Sequence, residues 1–189
     1  DALVFTIPHQ PKELLFGEIT HTKYIGHQGT TVSITGSQSE IDAGAPLDGS
    51  DLGSRSTRAA LRVQHPLIRS QRQNLWLHGQ FDLVNQRQNQ NDVRTFDDDI
   101  RALRWGGRYE LEDDLHGFNT ASLQFSHGID VLGATGRNST NTSRDRGQAT
   151  FNKVNLRLGR RQAIGNSWAI EVNAAGQLAD ERLLSAEEF

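Results

Sequence analysis

The sequence predicts an all-β protein, an antiparallel up-and-down transmembrane β-barrel of which about eight strands are present. Three observations predict this fold. Apolar and polar residues alternate along eight segments, and the connections between the segments alternate between short and long. In addition, the chain has no run of the roughly 18 apolar residues that a membrane helix needs, so it could span a bilayer only as a closed barrel.

The segments follow one another in chain order, each with one apolar and one polar parity. The runs 12–24 and 30–41 alternate weakly. The six clearer runs are 56–66, 74–86, 99–113, 120–133, 149–162 and 167–180. In 149–162, the apolar residues Val154, Leu156 and Leu158 alternate with polar ones. Because successive side chains of a strand point to opposite faces, the two sets cannot share a core.

The polar parity supplies the candidate functional residues. We expect it to face a water-filled lumen, because ten tilted residues rise roughly 25 Å, the height of the apolar band of such barrels. The candidate pore-lining residues are Arg62, His78, Gln80, Asp82, Arg104, Arg108, Glu110, Gln124, Lys153, Asn155, Arg157, Glu171 and Asn173.

The connections predict which rim is which. The short ones are 25–29, 66–72, 112–117 and 163–166, and the long ones are 42–55, 86–98 and 133–148. Outer-membrane barrels have short periplasmic turns and longer extracellular loops, which produces this alternation in sequence. The long connections are rich in Asn, Ser, Thr, Gly and Asp, which favour turns and open coil.

Three aromatic residues leave two interpretations open. Trp168 follows one short turn and Tyr109 precedes another, where amphipathic rings favour a membrane interface. Trp105, Tyr109 and Trp168 would equally suit the core of a soluble sheet.

Composition excludes several classes of function. A net charge of -3 gives no reason to propose a nucleic-acid partner. With 35% hydrophobic residues, a soluble domain of 189 residues would have a thin core. The seven histidines are scattered without the spacing of a metal site, and no nucleophile elbow of the GxSxG type occurs. We therefore expect no catalytic residues, no metal and no cofactor, so the protein is not expected to be an enzyme.

Arginine dominates the basic residues, with 17 Arg against 3 Lys. Arg62, Arg104, Arg108 and Arg157 fall on the polar parity, where guanidinium groups can pair with Asp82, Glu110 or Glu171 across a lumen. Such a network could form a transport path or only a salt-bridged wall, and the residues would face inward in both cases.

Several stretches of the chain resemble one family. The stretch 65–82, with PLIRS followed by NLWL, is similar to the outer-membrane transporters of two-partner secretion, within the Omp85 superfamily. The similarity continues through 97–134, through FNKVNLRLGRRQ (151–162) and into LLSAEEF (183–189).

The resemblance implies the place of this chain in a larger protein. Members of the family carry periplasmic POTRA domains, a sixteen-stranded barrel and an inward loop with an Arg-Gly-aromatic motif. Residues 1–189 would be the middle portion of the barrel, plausibly strands four to eleven, without the POTRA domains or the C-terminal strands.

The resemblance also implies function and location. We expect a monomeric barrel in the bacterial outer membrane, in contact with its lipid, that exports a large unfolded exoprotein such as a haemolysin or adhesin and can also activate it. Alternatives are another outer-membrane barrel, such as a porin or an Omp85 assembly factor, and a soluble β-barrel binding protein.

Overall fold

The described residues form one antiparallel sheet of nine strands, each paired with the next along the chain. A computed structural model describes residues 2–6, 14–43, 52–91, 93–136, 139–165 and 167–188. The strands are β1 (Ala2–Thr6), β2 (Leu14–Ile25), β3 (Thr30–Ala43), β4 (Leu52–Arg69), β5 (Gln73–Gln90), β6 (Val93–Glu112), β7 (Gly117–Gly128), β8 (Asn152–Ile164) and β9 (Trp168–Ala179). A 3-10 helix, Ser185–Glu187, follows them.

The predicted all-β, up-and-down architecture is confirmed. The eight segments expected from alternation correspond to β2–β9, and β1 adds a short ninth strand that pairs with β2. Among the described residues, no helix is long and apolar enough to cross a membrane.

One predicted connection is wrong. Residues 86–98 were expected to form a long loop, but β5 runs to Gln90 and β6 begins at Val93, with Asn91 turning the chain at a φ of 50°. The extension is polar on both faces, so alternation could not reveal it. Arg87 and Asp97 pair across it at 3.1 Å. The short connection at 66–72 also shrinks, because β4 continues to Arg69.

Other predicted connections fare differently. The long connection expected at 133–148 is present and longer, since the described residues between Gly128 and Asn152 form no strand. Most of the connection at 42–55 lies outside the described residues.

One register runs through the sheet and gives it two faces. Partners across each antiparallel pair share a face, so Val63, Trp105, Phe125, Val154 and Leu178 form one continuous row. We call this side the apolar face and the opposite side the polar face. On the apolar face Trp105 is 50% exposed and Trp168 is 78% exposed, so neither is a core residue of the described sheet. The Trp105 ring stacks on Phe125 with centroids 6.2 Å apart.

Gly106 allows β6 to follow β7 closely. A Cβ atom at this position would lie 2.1 Å from the backbone oxygen of Leu123, which no side chain could accommodate. Since the obstacle is backbone, the close approach of the two strands requires glycine here.

The turn between β6 and β7 is organised by one carboxylate. Asp113 Oδ1 accepts hydrogen bonds from the backbone N–H of Leu115 at 3.1 Å and of Gly117 at 2.9 Å. Its Oδ2 accepts from Asn119 Nδ2 at 3.0 Å and Arg160 Nη1 at 2.5 Å. The Asn119 hydrogen bond, with those of Arg160 and Gly117, holds the pKa of Asp113 well below its usual range.

This lowered pKa predicts a pH dependence for the turn. Because the folded-state pKa lies below the unfolded value, the carboxylate contributes its full stability above about pH 4 and loses it as the pH falls further. Asp113→Asn should therefore be less stable than the wild type at neutral pH, and the gap should narrow towards pH 2 or so. Urea midpoints of the complete protein in detergent, measured across pH, test this. Asp114→Asn is the matched control, and a gap for Asp113→Asn that stays constant with pH would contradict the expectation.

The two faces predict opposite responses to the same substitution. Leu156 and Asn155 are neighbours on β8, with Leu156 on the apolar face and Asn155 on the polar face. Leu156→Arg should cost about 2–4 kcal/mol in a bilayer, because it places a cation on the face that we expect to contact lipid. Asn155→Arg should cost much less. Refolding of the complete protein into lipid vesicles measures both, and equal losses would reject the assignment of faces.

Candidate functional site

All thirteen residues expected to line a pore lie on the polar face. The register places Arg62, Gln80, Arg104, Ser126 and Lys153 in a single row across β4–β8. A second row contains His78, Gln124 and Asn155. Asp82 lies two residues from Gln80 along β5 and therefore on the same face. The remaining members of the set, on the same face, are Arg108, Glu110, Arg157, Glu171 and Asn173. That this face lines a pore stays a prediction.

A fully buried carboxylate, Asp82, joins two strands of this face. Its Oδ1 accepts from Arg58 Nη2 at 2.6 Å and Arg58 Nε at 3.0 Å. Its Oδ2 accepts from Arg104 Nε at 2.8 Å and from Gln80 Nε2 at 2.6 Å. Both carboxylate oxygens are thus saturated by charged or polar donors, which burial of an anion requires.

Two irregular segments fold onto the polar face beside Asp82. We call residues 143–151 and 180–188 together the inner lobe. They are joined by a backbone hydrogen bond from Gln148 N to Arg182 O at 3.0 Å and by a bond from Ser185 N to Ser143 Oγ at 3.0 Å. The lobe is tied to β6 where Asp98 Oδ1 accepts from Ser143 N at 3.1 Å.

The inner lobe buries a small apolar core against the sheet. Ile100 and Ala102 of β6 supply the sheet side of this core. The lobe supplies Ala149, Phe151, Leu183 and Leu184. At the end of β7, a Cβ on Gly128 would lie 2.0 Å from the backbone oxygen of Ala149, so the lobe rests directly on the strand. Among the described residues this is the site where apolar side chains are fully buried.

Glu187 connects the lobe to the charges of the sheet. It is 3% exposed and pairs with Arg104, whose Nη1 lies 3.0 Å from Glu187 Oε2. Lys153 Nζ donates to the same Oε2 at 2.6 Å and to the backbone oxygen of Glu187 at 2.8 Å. Burial opposes ionisation of Glu187, but the hydrogen bonds and charges of Arg104 and Lys153 outweigh it and lower its pKa below the usual value.

The cluster therefore forms a continuous chain of alternating charge across four strands. Its members in order are Arg58, Asp82, Arg104, Glu187 and Lys153. With three cations and two anions, the cluster keeps each buried charge next to an opposite one, which lowers the cost of removing these groups from water.

The other predicted residues make local contacts on the same face. Arg108 pairs with Glu110, its neighbour on the same face of β6, at 2.8 Å. Arg62 instead donates to the amide oxygen of Gln64 at 3.2 Å. Asn173 donates to Glu171 at 3.0 Å, and Asn155 lies 3.4 Å from Gln177.

Sequence reasoning missed the most connected members of the site. Arg58 alternates with the apolar residues of 56–66 but is not among the candidates. Nothing in the sequence distinguishes Ser126 from the other polar residues of its parity. Glu187 lies outside any strand, in a segment without periodicity. Its position is the one distinguishing feature: Glu187 stands three residues after the apolar pair Leu183 and Leu184 and next to a second acid, Glu188.

The site offers binding and steering chemistry. No group of three or more His, Cys, Asp or Glu side chains in the described part of the chain is arranged to hold a metal ion. What the face presents is a wall of guanidinium, carboxylate, amide and hydroxyl groups, which can exchange hydrogen bonds with an extended chain or with water.

Comparison with solved structures finds a similar fold. The chain is similar to CdiB from Escherichia coli, with a TM-score of 0.79 and 17% sequence identity. The match covers 92% of this chain and 32% of the CdiB chain, so this chain spans about a third of that protein. No curated protein matches the sequence.

Comparison with family models identifies the family. The model described as haemolysin secretion/activation protein ShlB/FhaC/HecB matches residues 26–189, which is most of the chain. The chain therefore belongs to the ShlB/FhaC/HecB family of haemolysin secretion/activation proteins.

Proposed function

We propose that this chain forms part of the wall of an outer-membrane pore that exports a large partner protein by two-partner secretion. The observation that carries the proposal is the family match across residues 26–189. The fold supports it, because an antiparallel meander with one apolar and one polar face is what a membrane barrel wall requires.

The polar face is suited to passage of an unfolded polypeptide. An extended chain in transit has unsatisfied backbone N–H and C=O groups, and the Arg, Asn, Gln and Ser side chains of the wall can exchange hydrogen bonds with them. A wall without a large apolar patch does not retain the apolar side chains of the cargo. Transport would be passive, driven by folding outside the cell and without ATP.

The connections orient the wall. The short turns at 26–29, 70–72, 113–116 and 165–167 lie at one rim, which we assign to the periplasm. The extended β5–β6 hairpin and residues 129–136 and 139–142 lie at the other rim, on the cell surface. Residues 1–189 would be the middle of a monomeric sixteen-stranded barrel, and the POTRA domains would lie elsewhere in the protein. The partner would be an exoprotein such as a haemolysin or adhesin, which the pore could also activate.

Deletion of the gene in its native bacterium tests this function. We expect one large protein to disappear from the culture supernatant, because its only exit is removed, and to return when the complete gene is supplied on a plasmid. Quantitative proteomics of the supernatant, periplasm and outer membrane measures the change.

Each competing function predicts a different proteome. An assembly factor would lower many outer-membrane proteins together, and a porin would change uptake of small solutes with the supernatant unaltered. Recovery of the complete protein from the periplasm without detergent would indicate a soluble binding protein. Any of these three results would overturn the proposal.

A further inference from the structure

Glu187 occupies a position that the sheet alone does not explain. Arg104 and Lys153 are strand residues of the polar face with 11% and 6% of their side chains exposed. Arg104 has Asp82 as a second anionic partner at 2.8 Å. For Lys153, the ion pair and hydrogen bonds seen among the described residues go to Glu187 alone.

Besides the two leucines in the apolar core, Glu187 is the buried side chain of the segment that carries it. Of residues 183–188, Leu183, Leu184 and Glu187 are buried, while Ser185, Ala186 and Glu188 are exposed. The neighbouring acid, Glu188, pairs with Arg144 within the lobe, and both side chains are more than a third exposed. That pair joins one part of the lobe to another.

We propose that Glu187 is a positioning residue that pins the inner lobe to the wall of the pore and keeps Arg104 and Lys153 from the translocating chain. The inference rests on the proposed function, because it takes the polar face as the lumen wall. Without the Glu187 carboxylate, Lys153 has no anion beside it. Because burial of an unpaired ammonium group is costly, the Lys153 side chain then favours exposure to water. The lobe then leaves the wall. Its two leucines, and the Arg104 and Lys153 side chains that it covered, become exposed to the lumen.

Two substitutions separate this role from a general loss of charge. Glu187→Gln keeps the shape of the side chain and removes the buried anion. Glu188→Gln makes the same change at the next residue, in an exposed pair, and is the matched control. Both are made in the complete protein, with correct folding of the barrel checked by its heat-modifiable migration in electrophoresis.

Maleimide labelling reports the position of the lobe. Ala149 is fully buried beneath the lobe, and residues 1–189 contain no cysteine, so Ala149→Cys supplies a small buried reporter. In intact cells, a membrane-impermeant maleimide should label this cysteine about tenfold faster with Glu187→Gln than in the Ala149→Cys parent, because labelling of a buried thiol follows local opening. Glu188→Gln should label at the parent rate. Equal rates in all three proteins, or equal acceleration by both substitutions, would overturn the proposal.

Ion selectivity supplies a second readout. In planar bilayers under a salt gradient, Glu187→Gln should shift the reversal potential towards anion selectivity more than Glu188→Gln does, because it removes a buried anion and leaves Lys153 without an anionic partner in the lumen. An equal shift of the reversal potential for both variants would contradict the proposed role of Glu187. Failure of the complete wild-type gene to restore export would instead count against the proposed function, while restored export with unchanged labelling would reject the pin alone.

Discussion

The structure depends on one constraint, the unbroken register of its antiparallel ladder. Because side chains alternate with a period of two, a slip of one residue in any strand pair would move a whole polar set to the apolar face. The described ladder shifts at two places, between Pro66 and Ile68 and between Gln88 and Asn89. Both lie near strand ends, so the central rows that carry the charges keep their faces. Pro66 occupies the kind of irregular position at which a sheet tolerates proline.

That register also explains why a buried charge cluster can exist in a sheet so poor in apolar core. Asp82 and Arg104 lie on adjacent strands on the same face, and Ser126 and Lys153 continue the row of Arg104. Rigid strands hold the backbones of these residues at fixed spacing, so only side-chain freedom is lost when the cations and anions pair. A buried ion pair is weak evidence for stability, because desolvation offsets attraction. Its value here is positional: it defines where the inner lobe can sit.

The sequence predicted those parts of the molecule in which one period governs the residues. Alternation located β2–β9 and placed thirteen side chains on one face, and short turns such as the one at Asp113 followed from loop length. It failed at Arg87 and Asp97, where both faces of the extended hairpin are polar, so a strand reads like a loop. It also failed at Glu187, which lies in an irregular segment that returns to the sheet. The partners of Glu187 are distant in the chain: Lys153 is 34 positions away and Arg104 is 83 positions away. Neither period nor spacing carries information of that kind.

In the proposed pore, the inner lobe has to satisfy two requirements, its own stability and free passage of the exported chain. A segment that folds back onto a polar wall needs apolar contacts to stay there, yet exposed apolar side chains in the path of an unfolded chain would bind it. Leu184 and Phe151 avoid the conflict because they point at Ile100 and Ala102 and are almost completely buried. Glu187 then closes this apolar core with a carboxylate satisfied on both oxygens by Arg104 and Lys153. In the proposed pore, the apolar contacts therefore stabilise the lobe without facing the exported chain, as long as Glu187 stays paired with Arg104 and Lys153.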